Sequence, residues 1–320
     1  MNNTSLDLSI KSPLLLVGSE RSGTTLLRLM LSHHPKISWC FEFEYSVDWI
    51  GDDGKFPDLE QYYEFLETDR IFRMTECKID RNLTYPQLIN SFLSQWRERD
   101  NKEIIGATVH RHFNRTLYIW PEARFIHLLR DPRDVARSCI QMGWAGNTWK
   151  GVERWIEAEE LWNDLKNKLK PEQYIEIIYE DLIAEPSKVL SQICQFIGVE
   201  YDEAMLTYPN DTTYKYPNAK YTYQWKNKLS QQEIQLVECR AGDLLKQKGY
   251  ELSGFPIINL NSLQIQLLKL QNWFRCFSFR YQRYGFRLFM EDYISRKLNI
   301  KPWQNQVRLK LNDIDASYIA

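Results

Sequence analysis

A loop rich in glycine and small hydroxyl side chains, near the start of the chain, has the residue types of an anion site. It follows the apolar run Leu14–Val17 and precedes a helical repeat of apolar residues. Its candidate anion-binding positions are Gly18, Arg21, Ser22, Gly23, Thr24 and Thr25. Backbone N–H groups of such a loop and the positive end of the following helix dipole converge on one point. The segment therefore predicts a phosphate cradle between a buried strand and a helix.

The loop differs from the Walker A motif at one informative position. That motif places a lysine after its second glycine to reach the β- and γ-phosphates of a nucleoside triphosphate. Here Gly18 and Gly23 have the Walker spacing, but Thr24 stands in the place of the lysine. The cation that remains is Arg21, two residues before the second glycine. The loop thus indicates a shorter phosphate-like group held beside an arginine.

A second phosphate grip is predicted about a hundred residues later, in the stretch 123–138. Phe125–Leu129 has the pattern of a buried strand, Arg130 leaves its end, and Ser138 lies two turns into the helix that follows. An arginine can clamp phosphate oxygens in a bidentate manner, and the serine adds a hydroxyl donor. Two grips on neighbouring strand–helix turns imply a nucleotide that is phosphorylated at two separated positions. The remaining arginines are expected to form surface ion pairs, Arg133 and Arg137 with Asp131 and Asp134.

Candidate proton acceptors follow two other predicted strands. Glu42 and Glu44 alternate in an extended segment, so they are expected to share one face. On local sequence alone, two solvated glutamates are the simpler reading of that pair. His110 follows the apolar strand 103–109, and a histidine at a strand end can act as a base or an electrostatic catalyst. His110 and His112 have no third partner at a metal-binding spacing, so no metal site is predicted.

These strands and helices alternate along the chain and predict an α/β fold. We expect a P-loop-type three-layer architecture in which helices flank a central parallel sheet. The carboxyl ends of the parallel strands would carry the site. The main domain is predicted over residues 10–254, because Gly254-Phe255-Pro256 has the composition of a boundary. A C-terminal helical extension is predicted over 255–320.

The composition constrains the class of protein and its location less strongly than the motifs do. The chain of 320 residues has a formal charge of −1, which offers no overall attraction to nucleic acid. Its six cysteines are scattered without CxxC spacing, which is typical of reduced thiols in a cytoplasmic protein. Neither a signal peptide nor an apolar run long enough to span a membrane is recognisable, so a cytoplasmic location is the expectation.

Together the segments GSERSGTTLL and RDPRDVARS resemble the two nucleotide motifs of sulfotransferases that use 3′-phosphoadenosine 5′-phosphosulfate (PAPS). The resemblance extends over roughly residues 13–250 and is greatest to tyrosylprotein-sulfotransferase-like and bacterial members. It implies that Arg21 through Thr25 hold the 5′-phosphosulfate and that Arg130 and Ser138 hold the 3′-phosphate. It further implies that Tyr179 lies near the adenosine and that the loop 208–225 is a lid. The lid counterparts, in an uncertain register, are Thr212, Thr213 and Lys215.

The same resemblance leaves the catalytic base open. Glu42 falls eight residues after His34, as the base glutamate does in tyrosylprotein sulfotransferases, but Glu44 replaces the arginine expected two residues later. A tyrosine-peptide acceptor is therefore in doubt. The family lysine is also missing near Thr108, whereas His110 resembles the catalytic histidine of the cytosolic enzymes. The base is split between Glu42 and His110, with a slight preference for Glu42.

The resulting hypothesis is transfer of a sulfuryl group from PAPS, without a metal, to an acceptor hydroxyl or amine. The product of the donor would be adenosine 3′,5′-bisphosphate. The acceptor class is left open among carbohydrate, lipid, peptide and small molecule. Two alternatives stay open: a P-loop kinase or NTPase that acts on a small molecule, and a non-catalytic nucleotide-binding protein. The missing lysine keeps the non-catalytic alternative open.

The C-terminal tail lies outside the resemblance. Residues 261–301 carry eight Lys/Arg against two acidic residues and are interleaved with aromatic side chains. This composition predicts a membrane-surface helix, a docking surface for an acidic acceptor or a contact between copies of the chain. The plainer alternative is a helix packed on the main domain with its basic residues outward.

Overall fold

A parallel sheet of five strands forms the centre of the molecule. The computed structural model describes residues 10–319, and in these the strand order is β2-β3-β1-β4-β5. Every neighbouring pair is parallel. The strands are β1 Leu14–Val17, β2 Ile37–Glu42, β3 Ile104–Val109, β4 Arg124–Leu129 and β5 Tyr174–Ile178.

Helices connect the strands and cover both faces of the sheet. They are α1 Thr24–Ser32, α2 Leu59–Leu66, α3 Arg70–Thr75, α4 Tyr85–Asp100, α5 Pro132–Gln141, α6 Thr148–Gly151, α7 Glu153–Lys166, α8 Tyr179–Ala184, α9 Pro186–Ile197, α10 Trp225–Lys228, α11 Gln231–Gln247, α12 Ser262–Leu298 and α13 Lys301–Ile319. Short 3₁₀ turns lie at Glu44–Ser46, Phe113–Tyr118, Pro171–Gln173, Glu203–Leu206, Tyr208–Asn210 and Ala219–Tyr221.

The central strand β1 explains why the sheet has a core on each side. Successive side chains of a strand point to opposite faces. Leu15 and Val17 lie in a core with α4 and α7, whereas Leu14 and Leu16 lie in a second core with α1 and α9. All four residues are buried, as expected for a parallel strand that is covered on both faces. The predicted three-layer α/β fold is confirmed.

The strand order brings the predicted functional residues to one edge of the sheet. Strand β1 lies between β3 and β4, and the chain continues from their carboxyl ends into Gly18, His110 and Arg130. The connection after β1 leads to β2 on one side of the sheet and the connection after β4 leads to β5 on the other. The crevice where open α/β sheets bind ligands therefore lies between β1 and β4.

One local prediction is wrong. The extended segment does not continue through Glu44, because β2 ends at Glu42 and Glu44 begins a 3₁₀ turn. The pairing of β2 with β3 shifts register between Trp39 and Glu42. Glu42 and Glu44 therefore do not share the face of one strand, and Glu44 is buried rather than solvated.

The tail forms a helical hairpin against the main domain. Helix α12 is interrupted at Gly285, which has φ 72° and ψ 163°. The chain folds back there, so that the rings of Phe277 and Phe289 have centroids 4.8 Å apart. Among the described residues, no helix is both long and apolar enough to cross a membrane. The domain boundary near residue 254 stays a prediction.

Candidate functional site

Two glycines allow the loop after β1 to pass close to its neighbours. Gly18 has φ +138°, and a Cβ built on it would lie 2.4 Å from the carbonyl oxygen of Leu128. Gly23 has φ +98°, and its Cβ would lie 2.4 Å from the ring of Tyr179. Both backbone conformations are ones that L side chains rarely adopt. The sequence spacing of the two glycines thus reflects real steric requirements of the loop.

Gly23→Ala is expected to destabilise the protein more than Gly198→Ala. Both positions have a positive φ, which costs a side chain about 1–2 kcal/mol. A methyl group at position 198 meets nothing within 4 Å, whereas at position 23 it must displace the Tyr179 ring. Urea unfolding of the two variants measures the difference. Equal free energies of unfolding would mean that the contact with Tyr179 is unimportant.

The two predicted grips lie in direct contact. Arg21, in a left-handed backbone conformation with φ 70°, donates a hydrogen bond from Nε to Ser138 Oγ at 2.9 Å. Arg130 donates from Nη1 to the carbonyl oxygen of Arg21 at 3.1 Å. Its guanidinium carbon also lies 4.3 Å from the centre of the Tyr179 ring. The loop after β1 and the turn after β4 therefore build one site.

This site is a cavity of about 440 Å³. Its lining includes the predicted binding residues Arg21, Gly23, Thr24, Thr25, Arg130, Ser138 and Tyr179. Arg130 lines the cavity, and its buried Nε has no hydrogen-bond partner in the described part of the chain. The buried Ser22 Oγ also has none; Ser22 is not a lining residue but lies between the lining residues Arg21 and Gly23. Buried polar groups are normally satisfied, so donors left free here point to a ligand that accepts from them.

The segment predicted to be a lid covers the cavity. Thr213, Tyr214, Lys215 and Tyr216 line it. Thr212 does not, since its hydroxyl donates to the carbonyl oxygen of Tyr208 at 2.8 Å. The register that the sequence left open therefore places Thr213 and Lys215, rather than Thr212, at the cavity.

The end of this segment is fixed to the grip after β4. Arg130 donates from Nη2 to the carbonyl oxygen of Tyr221 at 2.9 Å. The Trp225 indole donates to Asp131 at 2.9 Å, and the Trp225 backbone N–H donates to Asp134 at 2.8 Å. The segment and the predicted 3′-phosphate grip thus share one hydrogen-bond network.

Arg133 corrects an expectation from the sequence. It is 2% exposed, not a surface residue. Its guanidinium pairs with Asp131 at 2.7 Å and with Glu238 on α11 at 2.9 Å, and it stacks on the Trp225 ring at 3.7 Å. Arg133 therefore holds the anchor of the lid in place.

Arg137 was also expected on the surface but lines the cavity. It donates to Gln224 Oε1 at 2.7 Å. One signal in the sequence identifies it: Asp134, Arg137, Ser138 and Gln141 follow the i, i+3, i+4, i+7 spacing of a single helix face. All four of these residues line the cavity.

His110 lies beside the start of the loop with a defined tautomer. Its Nδ1 is 3.1 Å from the carbonyl oxygen of Gly18, which can only accept, so Nδ1 carries a proton. The neutral ring then has its lone pair on Nε2. The backbone N–H of His110 donates to Glu44 at 3.0 Å. Burial raises the pKa of the Glu44 carboxyl, while the charges of His110 and Arg111 oppose that rise.

Glu42 lies one strand farther from the loop than His110 does, and the Thr108 side chain is bound to Trp39. Glu42 ends β2, which is separated from β1 by β3, and its charge acts on Arg28 and Glu44. The Thr108 hydroxyl accepts a hydrogen bond from the Trp39 indole at 3.1 Å. Thr108 therefore does not supply what the missing family lysine would.

The connector after α5 adds an aromatic surface beside Arg21. The Trp144 ring, 42% exposed, has the guanidinium carbon of Arg21 at 5.9 Å and that of Arg154 at 5.0 Å. Arg154 also pairs with Glu20 of the loop at 2.6 Å. Over the described residues, no group of three or more His, Cys, Asp or Glu side chains is placed to hold a metal ion.

Comparisons with known proteins give a consistent result. A family model described as "Sulfotransferase family" matches residues 13–203. An omega-hydroxy-beta-dihydromenaquinone-9 sulfotransferase of Mycobacterium tuberculosis is 25% identical over 241 residues, which cover 68% of this chain and 58% of the relative. A protein-tyrosine sulfotransferase of Drosophila melanogaster is 24% identical over 215 residues, 61% of this chain and 40% of the relative. The chain thus spans less than two thirds of the length of these relatives.

A solved structure supports the same architecture. The sulfotransferase domain from the curacin biosynthetic pathway superposes with a TM-score of 0.53 at 20% identity. The match covers 76% of this chain and 99% of that domain. At this identity the likeness concerns the fold.

Proposed function

Since the chain belongs to the sulfotransferase family, we propose that it transfers a sulfuryl group from PAPS to an acceptor hydroxyl or amine. Family membership confirms the resemblance that the two motifs indicate. The observation that carries the proposal is the single cavity with an arginine grip at each strand end, Arg21 and Arg130. A donor with phosphate groups at both the 5′ and the 3′ position needs two such grips.

The residues present fit this donor. A volume of about 440 Å³ lies within the usual range for small-molecule sites, about 300–1,000 Å³. Ser22 Oγ and Arg130 Nε are buried donors without a partner among the described residues, and anionic oxygens would satisfy them. The adenosine would lie against Tyr179, whose ring forms one wall.

Each grip has a separate task in the proposal. The loop N–H groups, with Ser22, Thr24 and Thr25, hold the 5′-phosphosulfate, and Arg21 stabilises the charge that develops there. Arg130 and Ser138 hold the 3′-phosphate. Because Arg21 bonds to Ser138 without a ligand, binding of the donor would exchange that contact for contacts to the phosphates.

The proposed step is an in-line displacement at sulfur. The acceptor oxygen or nitrogen forms a bond to sulfur as the bond from sulfur to the bridging oxygen breaks. The bond electrons remain on the 5′-phosphate of adenosine 3′,5′-bisphosphate, and the acceptor proton goes to a base of the protein. Positioning and charge stabilisation supply the catalysis.

We assign the role of base to His110. Its Nδ1–H is occupied by Gly18 O, so Nε2 carries the lone pair that can take a proton. This reverses the slight preference for Glu42 that the sequence suggests. Glu42 remains the alternative, because it also lies at a strand end on the same edge of the sheet.

The kinase or NTPase alternative is disfavoured by Thr24, which leaves no lysine for β- and γ-phosphates. A non-catalytic nucleotide-binding role would fill the same cavity without turnover. The two alternatives differ from the proposal in metal dependence and in product formation.

Thermal unfolding with different nucleotides tests the proposal first. Adenosine 3′,5′-bisphosphate in EDTA should raise the melting temperature, because a ligand that binds only the folded state stabilises it. ATP with Mg²⁺ and adenosine 5′-monophosphate are the controls and should have much smaller effects. Stabilisation by ATP with Mg²⁺ alone would contradict the proposal.

A second experiment tests transfer. The protein is incubated with radiolabelled donor and, in separate reactions, with a lipid, a peptide, a glycan or a small-molecule pool. Label should enter one pool, and mass spectrometry identifies the modified acceptor. Binding of the bisphosphate without transfer to any pool would favour the non-catalytic role.

A further inference from the structure

The outer face of α12 has a continuous apolar stripe that is largely exposed, and the Phe289 ring of the hairpin contacts it at Phe277. Its residues follow a 4-3-4-3-4 spacing and are 40–69% exposed: Leu263, Leu267, Leu270, Phe274, Phe277 and Tyr281. We call them the α12 stripe. At 3.6 residues per turn, this spacing keeps all six on one side of a helix for five turns. Large apolar surfaces of this kind mark interaction sites.

The opposite face of α12 is already bound to the main domain. The Asn147 side chain donates to the carbonyl oxygen of Leu268 at 2.8 Å, and Arg275 donates to that of Gly146 at 2.9 Å. A Cβ on Gly143 would lie 2.2 Å from the Phe279 ring. These contacts fix the rotation of the helix, so that the stripe faces outward as a permanent feature of the folded chain.

The charge along α12 has one sign up to the hairpin. Residues 262–290 contain five Lys/Arg and no acidic residue, and three of these arginines pair with carboxylates farther along the tail. Over residues 262–320, ten Lys/Arg against four Asp/Glu leave an excess of positive charge. Lys269 and Arg280 are eleven residues apart, which places them on the same flank of the helix beside the stripe. Arg280 pairs with Asp292 at 2.7 Å, whereas Lys269 is exposed. Trp273, 55% exposed, borders the stripe and has the amphipathic ring that is favoured at membrane interfaces.

We propose that the α12 stripe docks the protein onto the surface of an anionic lipid bilayer. An apolar face of Leu, Phe and Trp beside a basic flank is the pattern of helices that lie in the bilayer interface. The heptad-like spacing would also suit a second copy of the chain. Pairing of two copies, however, would bring two segments of like charge together, whereas anionic headgroups complement that charge.

Docking would place the sulfuryl-transfer site close to the lipid surface. The connector 143–147, which holds the inner face of α12, also carries Trp144 beside Arg21. An acceptor that resides in the bilayer could then reach the site without leaving the interface. The docking itself does not depend on the proposed reaction.

Flotation of the full chain with vesicles tests the proposal. With equal parts phosphatidylglycerol and phosphatidylcholine, the protein should float at low salt, and its binding should weaken strongly in 0.5 M NaCl. Vesicles of phosphatidylcholine alone should bind it weakly. Protein that stays unbound to the anionic vesicles, or that binds both compositions equally, overturns the proposal.

Variants distinguish binding through the α12 stripe from nonspecific adsorption to vesicles. The double variant L270Q/F274Q should lower binding to anionic vesicles by about tenfold or more, since each buried apolar side chain contributes substantially. Lys269→Gln should lower it roughly fivefold. Met74→Gln removes an apolar side chain that is 52% exposed on α3 and should leave binding unchanged.

Two further measurements show whether a loss of vesicle binding has another cause. The melting shift with adenosine 3′,5′-bisphosphate should be the same in L270Q/F274Q and in the original protein, which shows that the fold is intact. Light scattering at rising protein concentration should show one copy per particle. A dimer that L270Q/F274Q dissociates, without flotation, would overturn the proposal in favour of a second copy as the occupant.

Discussion

Arg21→Ala is expected to lower the rate of sulfuryl transfer by about 10²–10³-fold, the usual cost of removing one preorganised donor at a site of developing charge. Folding should be nearly unaffected. Among the residues that the structure describes, the Arg21 side chain makes one hydrogen bond, to Ser138, and a cation–π contact with the exposed Trp144 ring. The measurements are steady-state transfer from PAPS and the melting temperature.

Arg154→Ala is the matched control. Arg154 lies against the same Trp144 ring and beside the same loop, through its ion pair with Glu20. It does not line the cavity. If both variants lose activity equally, the loss reflects positive charge near the connector. Arg21→Lys keeps the charge but lacks the planar fork, so it should recover only part of the rate. Near-normal turnover of Arg21→Ala would show that the assignment of the loop is wrong.

The parts of the site that the sequence predicted are those determined by short-range pattern. A strand followed by Gly18 and Gly23 specifies the cradle, since the positive φ and the close neighbours at both positions require glycine there. The rule that ligands meet the carboxyl ends of parallel strands then brings Arg130 to the same edge. Their contact, through the Arg21 carbonyl oxygen, follows from β1 and β4 being neighbours.

The parts that the sequence did not predict depend on elements distant in the chain. Arg133 is buried only because Glu238 of α11 and Trp225 after the lid meet at it. Glu44 leaves the surface because the strand ends and its carboxylate accepts from the His110 backbone. Each of these contacts joins residues that are far apart in the sequence, and a local sequence pattern does not relate such residues. Similarly, the chain reverses direction at Gly285, whereas the sequence shows only one continuous basic and aromatic segment there.

His110→Asn should lower the transfer rate by about 10²–10⁴-fold, the range typical of a lost general base. The asparagine amide can still donate to the carbonyl oxygen of Gly18, in place of Nδ1–H, so the loop should keep its position. What is lost is the lone pair of Nε2. Affinity for adenosine 3′,5′-bisphosphate should therefore remain close to that of the original protein, as measured by the shift in melting temperature.

Glu42→Gln separates the two candidate bases, because it removes a carboxylate at the end of the neighbouring strand without changing its size. We expect a small loss of rate in this variant. Added imidazole should restore part of the activity of His110→Ala and none in Glu42→Gln, since only the first variant leaves room for an external base of that shape. A large loss in Glu42→Gln with a nearly normal His110→Asn would instead assign the base to Glu42, because the acceptor proton would then leave through the carboxylate at the end of β2 rather than the ring beside Gly18.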